Sequence, residues 1–356
     1  MTDRLLAALE GFSGTLLLPG DPGYEHTRGV FNALIDKRPA LIAQCRGVAD
    51  IVAAVGFARE HGLEVSVRGG GHNVAGTAVT EGGVMVDLSR MRGIRVDSEA
   101  QTARVQGGVI WRDLNRETQL HGLAVPGGIV SSTGVAGLTL GGGLGWITGK
   151  YGLTVDNLLS AEVVTADGRV LTASGEEHED LFWALRGGGG NFGVVSSFEY
   201  RLHPVGPVVT GGLVLHSYPK ARELLSFCRD FMADAPRELA VDAALHFSPD
   251  GSARKLAGLA VCHVGPREQA EEDLRPLLAF GSPVEVQVGA MPYTAVNSML
   301  DGAYPPGLLN YWKSSFLAEL SDEAIDTMVE EFEGCPSPRS ALVLRHFRGA
   351  VADVPV

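Results

Sequence analysis

The sequence has no cluster of basic residues. Its 29 Lys and Arg residues are outnumbered by 42 Asp and Glu residues, and the formal net charge is −13, with the acids scattered along the chain. Proteins that bind the phosphate backbone of a nucleic acid usually carry clustered Lys and Arg. We therefore expect no nucleic-acid partner.

Long apolar runs and grouped cysteines are absent as well. Because no run of 18 apolar residues occurs, we expect no membrane-spanning helix and no membrane partner. The stretch from Met1 to Gly11 predicts the start of an amphipathic helix rather than a signal peptide. The cysteines lie far apart, with neither a CxxC pair nor a histidine at metal-ligand spacing, which favours separate thiols in a reducing, cytoplasmic compartment and no metal site. The four are Cys45, Cys228, Cys262 and Cys335.

Glycine is what the sequence has in excess. The 47 glycines of this 356-residue chain concentrate in its first 212 residues, although the 45% hydrophobic and 20% charged content is ordinary for a globular protein. The length suggests two domains. Tandem glycines almost vanish after His203-Pro204, which places the predicted boundary between domains 1–204 and 205–356.

The first glycine-rich stretch follows a predicted strand. Val65 and Val67 alternate with polar neighbours, and Gly69, Gly70 and Gly71 come next, followed by His72. Consecutive glycines allow positive φ angles and let a flat ligand approach the backbone, because no Cβ stands in the way. Taken alone, the motif is also typical of a Gly-rich turn beside one exposed histidine.

A longer glycine-dense segment runs from Pro126 to Gly149. Each glycine inside a helix or strand costs roughly 0.5–1 kcal/mol, so this density needs a reason. Successive backbone N–H groups in such turns form nests for anions such as a pyrophosphate, without a lysine. A P-loop is excluded because Tyr151 follows Lys150, and a dinucleotide-binding Gly-x-Gly-x-x-Gly motif is weak because Trp146 replaces the third glycine.

Periodicity predicts the remaining elements. A helix is expected over 50–61, a hairpin over 94–105, a two-residue hairpin turn at Asp167-Gly168 and a helix over 180–186. The second domain is predicted to be α+β, with an antiparallel sheet backed by helices. Its predicted strands are 208–215, 239–247, 256–264, 284–289 and Tyr311–Leu317, and its predicted helices are 220–233, 267–280 and one capped by Ser321.

The order of the glycine motifs resembles the berberine-bridge-enzyme-like flavin oxidases of the vanillyl-alcohol oxidase superfamily. The resemblance covers about residues 38–204 and continues more weakly to Tyr311-Trp312-Lys313-Ser314. Its motifs are Arg68-Gly69-Gly70-Gly71-His72-Asn73, Pro126-Gly127-Gly128, Leu140-Gly141-Gly142-Gly143-Leu144-Gly145-Trp146, Lys150-Tyr151-Gly152-Leu153, Asp156-Asn157 and Gly190-Asn191-Phe192-Gly193-Val194-Val195.

The resemblance implies a two-lobed FAD-binding domain of the PCMH type and a substrate domain over the flavin ring. In the family, a histidine at the position of His72 bonds covalently to the methyl carbon on the benzenoid edge of the flavin. That attachment raises the flavin's potential and retains the cofactor. Relatives with a second, cysteinyl link carry the cysteine where this chain has Val130. The resemblance therefore implies FAD with a single link.

The resemblance also implies a set of residues that contact FAD. They are Arg68, Gly69, Gly70, Gly71, His72, Asn73, Gly76, Pro126, Gly128, Ser132, Thr133, Gly134, Gly137, Gly141, Gly142, Gly143, Tyr151, Asp156, Asn157, Val194 and Val195. For Asp156 and Asn157, satisfying buried backbone groups is an equally good interpretation. Asp87 is interpreted as a turn cap, and Trp146 as a core residue.

Catalysis is less well located by the sequence. Tyr311 and Lys313 alternate along a predicted strand, so they would share a sheet face that could overlook the flavin. A surface lysine beside a packed tyrosine is the competing interpretation. The flavin accepts the hydride, so the protein need supply only orientation and one base.

The expected function is that of an FAD-dependent oxidase. It would remove a hydride from a C–H next to oxygen or nitrogen of a small molecule and pass the electrons to O₂. Two alternatives stay open: a flavin dehydrogenase with another acceptor, and a flavoprotein that binds a small molecule without turnover.

The C-terminal end carries one further expectation. Family members continue with a segment that returns to the flavin domain and carries a Tyr-x-Asn motif, whereas this sequence stops at Val356 soon after a predicted buried strand, Ala341–Phe347. The substrate domain is therefore expected to be incomplete, and the chain as given poorly soluble and weakly active.

Overall fold

The structure is a computed structural model that describes residue 9 and residues 11–353. Most of the predicted N-terminal amphipathic segment lies outside the described residues. The chain forms two compact units. The first comprises Met1–Gly145, Leu153–Pro204 and Leu300–Trp312, and the second comprises Trp146–Gly152, Val205–Met299 and Lys313–Val356.

The described residues form an α+β fold, as the sequence predicts. The strands are β1 (Thr15–Leu17), β2 (Leu41–Gln44), β3 (Val65–Arg68), β4 (Val84–Asp87), β5 (Ile94–Asp97), β6 (Thr102–Gln106), β7 (Leu123–Ala124), β8 (Leu158–Val164), β9 (Val170–Ser174), β10 (Val194–Arg201), β11 (His203–Pro204), β12 (Val208–Ser217), β13 (Leu239–Phe247), β14 (Lys255–His263), β15 (Glu285–Pro292) and β16 (Ala341–Arg345). The α-helices are α1 (Tyr24–Arg28), α2 (Val48–Glu60), α3 (Trp111–Thr118), α4 (Val135–Leu140), α5 (Thr148–Tyr151), α6 (Glu179–Leu185), α7 (Ala221–Ala233), α8 (Arg267–Ala279), α9 (Tyr293–Val296) and α10 (Asp322–Glu333).

One sheet of the first unit has the strand order β1-β2-β4-β3, with β2 and β3 parallel to β4. Strands β2 and β4 are buried throughout, because α2 packs on one face and the cluster around Tyr24 covers the other. The carboxyl ends of the parallel strands meet at one edge. Strand β3 ends there at Arg68 and delivers the triple-glycine loop.

The other large sheet of the first unit is antiparallel, with the order β5-β6-β10-β8-β9. Its core includes Trp111 and Leu114 of α3. The turn between β8 and β9 differs from the prediction. The Thr165 N–H donates to Arg169 O at 2.9 Å, which leaves three residues in the loop instead of two, and Gly168 takes the left-handed conformation with φ +85°.

The second unit contains an antiparallel sheet of order β15-β12-β14-β13-β16. Helices α7, α8 and α10 bury their apolar sides against it, in the predicted arrangement of a sheet backed by helices. Ser321 caps α10 as predicted, since its Oγ accepts from the N–H of Ala324 at 3.2 Å.

One predicted strand is absent, and another is shorter and less buried than predicted. Residues 311–317 form no strand, and Tyr311 is 79% exposed, so the prediction that Tyr311 and Lys313 share a strand face fails. Alternating apolar residues can place side chains on one face of a strand, but a strand forms only where a neighbouring strand supplies backbone hydrogen bonds. The predicted strand Ala341–Phe347 is shorter, ending at Arg345, and Val343 on it is 48% exposed rather than buried.

The physical reason for the exposure of Val343 is that β16, which pairs with β13, has only one face against the helix-covered core. The side chains of Leu342 and Leu344 pack against the helix-covered core, while Ala341 and Val343 alternate to the other face. The guanidinium of Arg345 pairs with the buried carboxylate of Asp242, with Nε to Oδ1 at 2.7 Å.

The cysteines are free thiols, three of them buried and Cys335 half-buried. Over the part of the chain that the structure describes, no helix combines the length and the apolar character needed to cross a membrane.

Candidate functional site

The first wall of the candidate site is the loop after β3. The N–H of Leu88 donates to Arg68 O at 2.9 Å, which continues the parallel pairing to the last residue of the strand. The chain then turns at Gly71, whose φ of +71° is a conformation that side-chain-bearing residues rarely adopt. The Phe31 N–H donates to Gly71 O at 3.0 Å. These bonds set the position of His72.

A second loop touches the first, backbone against backbone. A Cβ placed on Gly70 would lie 2.3 Å from the nitrogen of Gly134, and a Cβ on Gly134 would lie 2.3 Å from the nitrogen of Gly70. The Trp111 N–H donates to Thr133 O at 3.0 Å and holds that second loop. Where the two loops touch, only glycine fits at position 70 and at position 134.

His72 lies where the two loops meet. Its Nε2 is 2.9 Å from Ser132 Oγ, its Nδ1 is 3.5 Å from Thr133 Oγ1, and its ring stacks on Phe31 with centroids 4.3 Å apart. Burial lowers the pKa of His72 to about 4, opposed by the negative charge of Asp301. The imidazole is therefore neutral at neutral pH and keeps a nucleophilic lone pair.

The third part of the site is the turn after α4. Gly142 and Gly143 have φ angles of +113° and +86°, and their carbonyls accept from the N–H groups of Val155 and Thr154 at 3.0 and 3.1 Å. A Cβ on Gly143 would lie 2.2 Å from Thr154 Oγ1. Both glycines are thus required by the turn itself.

Asp156 and Asn157 make the local bonds that the structural interpretation predicts. The carboxylate of Asp156 accepts from the Leu153 N–H at 2.7 Å, and the Asn157 amide donates to Leu153 O at 2.8 Å. Arg186 lies 3.7 Å from Asp156. These bonds support the loop and do not test a contact with FAD.

Gly137 is the position that best tests whether this site fits FAD. It lies in the middle of α4 and is exposed, and among the described residues a Cβ there would meet no atom within 4 Å. Packing therefore gives no reason for a residue that destabilises a helix by roughly 0.5–1 kcal/mol. Close approach of a ligand supplies a reason, so the glycine surface fits an extended cofactor such as FAD.

The other predicted FAD contacts have the following surroundings. Arg68 donates to Thr27 O, Asn73 Oδ1 accepts from the Thr77 N–H at 3.2 Å, and Gly76 leaves room for Ile35. Pro126 O accepts from Thr154 Oγ1 at 2.7 Å, Gly128 and Gly141 lie close to Leu138, and Val194 and Val195 are buried at the start of β10.

Two predicted site residues lie in the second unit. Tyr151 ends α5 and has Lys150 Nζ 5.4 Å from its ring centroid. Lys313 begins the last segment of that unit, whereas Tyr311 belongs to the first unit.

The structural interpretations of Asp87 and Trp146 are confirmed. Asp87 is buried, and its carboxylate accepts from the Ser89 N–H at 3.0 Å and from the Gln44 amide at 2.9 Å. Trp146 is 1% exposed.

Sequence reasoning missed the residues around His72 that come from elsewhere in the chain. Asp301 accepts from the N–H and Oγ of Ser131 at 2.8 and 2.5 Å, although the two lie 170 positions apart. Phe31 and Asn32 precede the glycine loop in unremarkable sequence. No local pattern marks these residues, since their contacts exist only in the folded chain.

Known proteins that are similar to this chain include FAD-binding oxidoreductases. A family model described as an FAD binding domain matches residues 39–174. An FAD-linked oxidoreductase of Dictyostelium discoideum is 31% identical over 97% of this chain and 75% of its own length. (R)-6-hydroxynicotine oxidase of Paenarthrobacter nicotinovorans is 35% identical over 88% of this chain and 68% of its own length.

A solved structure shares the fold. The crystal structure of 6-hydroxy-D-nicotine oxidase from Arthrobacter nicotinovorans superposes with a TM-score of 0.86 at 29% identity. The match covers 97% of this chain and 77% of that one.

Proposed function

The chain belongs to the FAD-linked oxidoreductases, and from that membership we propose that it is an oxidase with covalently bound FAD. The family resemblance inferred from the glycine motifs is thereby confirmed. The proposed reaction removes a hydride from a C–H next to oxygen or nitrogen of a small molecule, with O₂ as the final acceptor. Similarity to (R)-6-hydroxynicotine oxidase supports this choice of chemistry.

FAD, when bound, supplies the hydride acceptor and the route by which two electrons reach O₂. We assign its backbone cradle to Gly69–Gly71, Gly134, Gly137 and Gly141–Gly143. The open space beside Gly137 supports this assignment, since packing gives no reason for a glycine there and close approach of a ligand does. We further propose that residues 1–204 act as the FAD-binding domain and residues 205–356 as the substrate domain.

The observation that carries the covalent link is the state of His72. It is a neutral imidazole, stacked on Phe31 and placed by a hydroxyl hydrogen bond at the end of the triple-glycine loop. Attachment would replace the imidazole N–H and one methyl C–H of the flavin by a C–N bond. The two protons and two electrons released would pass to O₂ as H₂O₂. Val130 offers no nucleophile for a second link.

Acid precipitation tests the link. Flavin colour should stay with the precipitated wild-type protein and move to the supernatant for His72→Ala. His61→Ala is the matched control, because His61 also stacks on a phenylalanine, Phe57, at 4.3 Å, yet lies at the end of α2. Complete release of flavin from the wild-type pellet would refute covalent attachment. Peptide mapping should find the flavin on the His72 peptide alone.

Tyr311 and Lys313 stay as the proposed residues for proton removal, although they do not share a strand. Tyr311→Phe and Lys313→Met should each lower kcat more than they raise KM if the side chain acts in the chemical step. Wild-type kcat in both variants would remove them from the mechanism.

Anaerobic mixing separates oxidase from binding protein. A substrate should bleach the flavin without O₂, and air should restore the colour with H₂O₂ release. Bleaching without reoxidation by air would favour a dehydrogenase, and binding without bleaching would favour a flavoprotein that only holds its ligand.

Location in the cytoplasm is part of the proposal. Three buried free thiols are consistent with a reducing compartment. Fractionation of the source cells would test this point.

A further inference from the structure

Asn32 is a buried side chain whose hydrogen bonds join two distant segments. It is 1% exposed, and its amide nitrogen donates to Val74 O and to Asn310 O, both at 2.9 Å. Its Oδ1 accepts from the N–H groups of Leu34 and Asn310 at 3.1 and 2.8 Å. All four hydrogen-bonding positions of the amide are therefore used.

The backbone on either side of Asn32 makes the same connection. The Phe31 N–H donates to Gly71 O and the Gly307 N–H donates to Phe31 O, both at 3.0 Å. The Ala33 N–H donates to Leu308 O at 2.9 Å. Residues 31–33 thus lie between the His72 loop and residues 307–310 of the first unit.

The same late segment reaches the other side of His72. Asp301 accepts from both donors of the buried Ser131, at 2.8 Å from its N–H and 2.5 Å from its Oγ. The next residue is Ser132, whose hydroxyl holds His72 Nε2. Trp312, at the end of the segment, meets the edge of Phe31, with ring centroids 6.2 Å apart.

We propose that the segment Leu300–Trp312, the bracket, positions His72 for flavin attachment. Two anchors connect it to the surroundings of His72: Asn32, which bonds to Asn310 of the bracket, and Asp301 of the bracket, which bonds to Ser131. The bracket holds the Phe31 side of the imidazole through Asn32 and the Ser132 side through Asp301. This inference rests on the proposed attachment at His72. The imidazole nitrogens of His72 face Ser132 and Thr133 rather than either anchor, so both anchors are positioning residues.

The rate of flavin attachment depends on the position of the His72 imidazole, and this dependence gives the size of the expected effect. Displacing a reacting group by about 1 Å can cost on the order of 100-fold in rate. Asn32→Ala removes all four side-chain bonds, while the Phe31 and Ala33 backbone bonds remain. We therefore expect flavin to bind, and its rate of covalent attachment to fall about 10- to 100-fold, so that the covalent share at a fixed time after flavin addition is lower than in wild type.

The experiment measures covalent and total flavin separately in purified full-length protein, together with Tm. Asn297→Ala is the matched control, since Asn297 is 2% exposed, donates to Tyr293 O at 3.0 Å, and lies in the second unit. The control should lower Tm while the covalent share stays at the wild-type value. Asn32→Ala should lower the covalent share at a comparable Tm.

Asp301→Asn is the second variant, and it decides the matter if Asn32→Ala does not fold. Its amide oxygen can still accept from Ser131, but the amide nitrogen cannot accept, so one of the two carboxylate acceptors and the negative charge beside His72 are lost. A reduced covalent share supports the bracket. A wild-type covalent share in the folded anchor variants, or a share that falls equally in Asn297→Ala, overturns it.

Failure of the proposed attachment would be recognised separately. If wild-type flavin is wholly non-covalent, the rate at which diethyl pyrocarbonate modifies His72 becomes the readout, followed by peptide mass spectrometry. Asn32→Ala should then raise that rate at least about 10-fold over wild type and over Asn297→Ala, since loosening of the Phe31 stack exposes the ring. Equal modification rates would overturn the bracket.

Discussion

Replacement of Gly137 by alanine should have opposite effects on the protein and on its affinity for FAD. The Cβ would meet no atom within 4 Å, so nothing opposes the better helix propensity of alanine. We expect a stabilisation of about 0.5–1 kcal/mol in flavin-free protein. That corresponds to a rise in Tm of about 1–4 °C for a domain of this size.

The same methyl group would occupy the space that we assign to the cofactor. Overpacking of a close contact typically costs about 1–3 kcal/mol. The Kd for FAD should therefore rise about 5- to 150-fold. Measuring this requires reversible binding, so the substitution is made in the His72→Ala background and FAD is titrated by quenching of its fluorescence.

Gly56→Ala is the matched control for Gly137→Ala. Gly56 is also a helical glycine, in α2, and a Cβ there would again meet no atom within 4 Å. It should raise Tm by a similar amount and leave the Kd for FAD unchanged. Equal FAD affinity in the Gly137→Ala and Gly56→Ala proteins would refute the view that the cofactor passes over Gly137.

Three further changes have defined outcomes. Gly70→Ala should destabilise the protein by about 1–3 kcal/mol, because the new Cβ would lie 2.3 Å from the nitrogen of Gly134. Chemical denaturation measures this change, and an unchanged midpoint would contradict the close contact between the two glycine loops. Burial holds the pKa of His72 at about 4 in the folded protein, below the ordinary 6.5, so between these pH values only the unfolded chain binds the proton. The free energy of unfolding of flavin-free protein should therefore fall by up to about 3 kcal/mol as the pH falls from 6.5 to 4. His72→Gln should flatten that dependence of Tm on pH, and an unaltered slope would assign it to other groups. Ser321→Ala should cost about 1 kcal/mol through loss of the bond from Ala324, measured by thermal unfolding against Ser321→Thr, which should retain most of the stability.

Local pattern was sufficient wherever an element is defined by its own residues. Helix α2 runs from Val48 to Glu60 against a predicted 50–61, and β3 delivers His72 after the glycines as predicted. The prediction from pattern was wrong at Tyr311–Leu317: its residues alternate as in a strand, but the segment pairs with no strand among the described residues. Strand formation depends on a neighbour, and a neighbour is not a local property.

The candidate site shows the same division. Residue properties predicted the glycine loops, because backbone freedom belongs to single glycines. Resemblance to the family singled out His72, Ser132 and Thr133 as FAD contacts, and that contact stays a prediction. The sequence could not predict that Asp301 binds Ser131 or that Asn32 binds Asn310, since 170 and 278 positions separate these pairs.

The sequence by itself determined the class of the protein: an acidic, glycine-rich α+β chain of the FAD-linked oxidoreductases, with His72 at the end of a strand. The tertiary structure alone decided that Gly70 and Gly134 touch, that burial lowers the pKa of His72, and that Asp301 bonds Ser131 while Asn310 bonds Asn32. Conformational freedom and nucleophilicity belong to a residue type. Burial, close contact and hydrogen-bond partners depend on which distant segments the folded chain brings together.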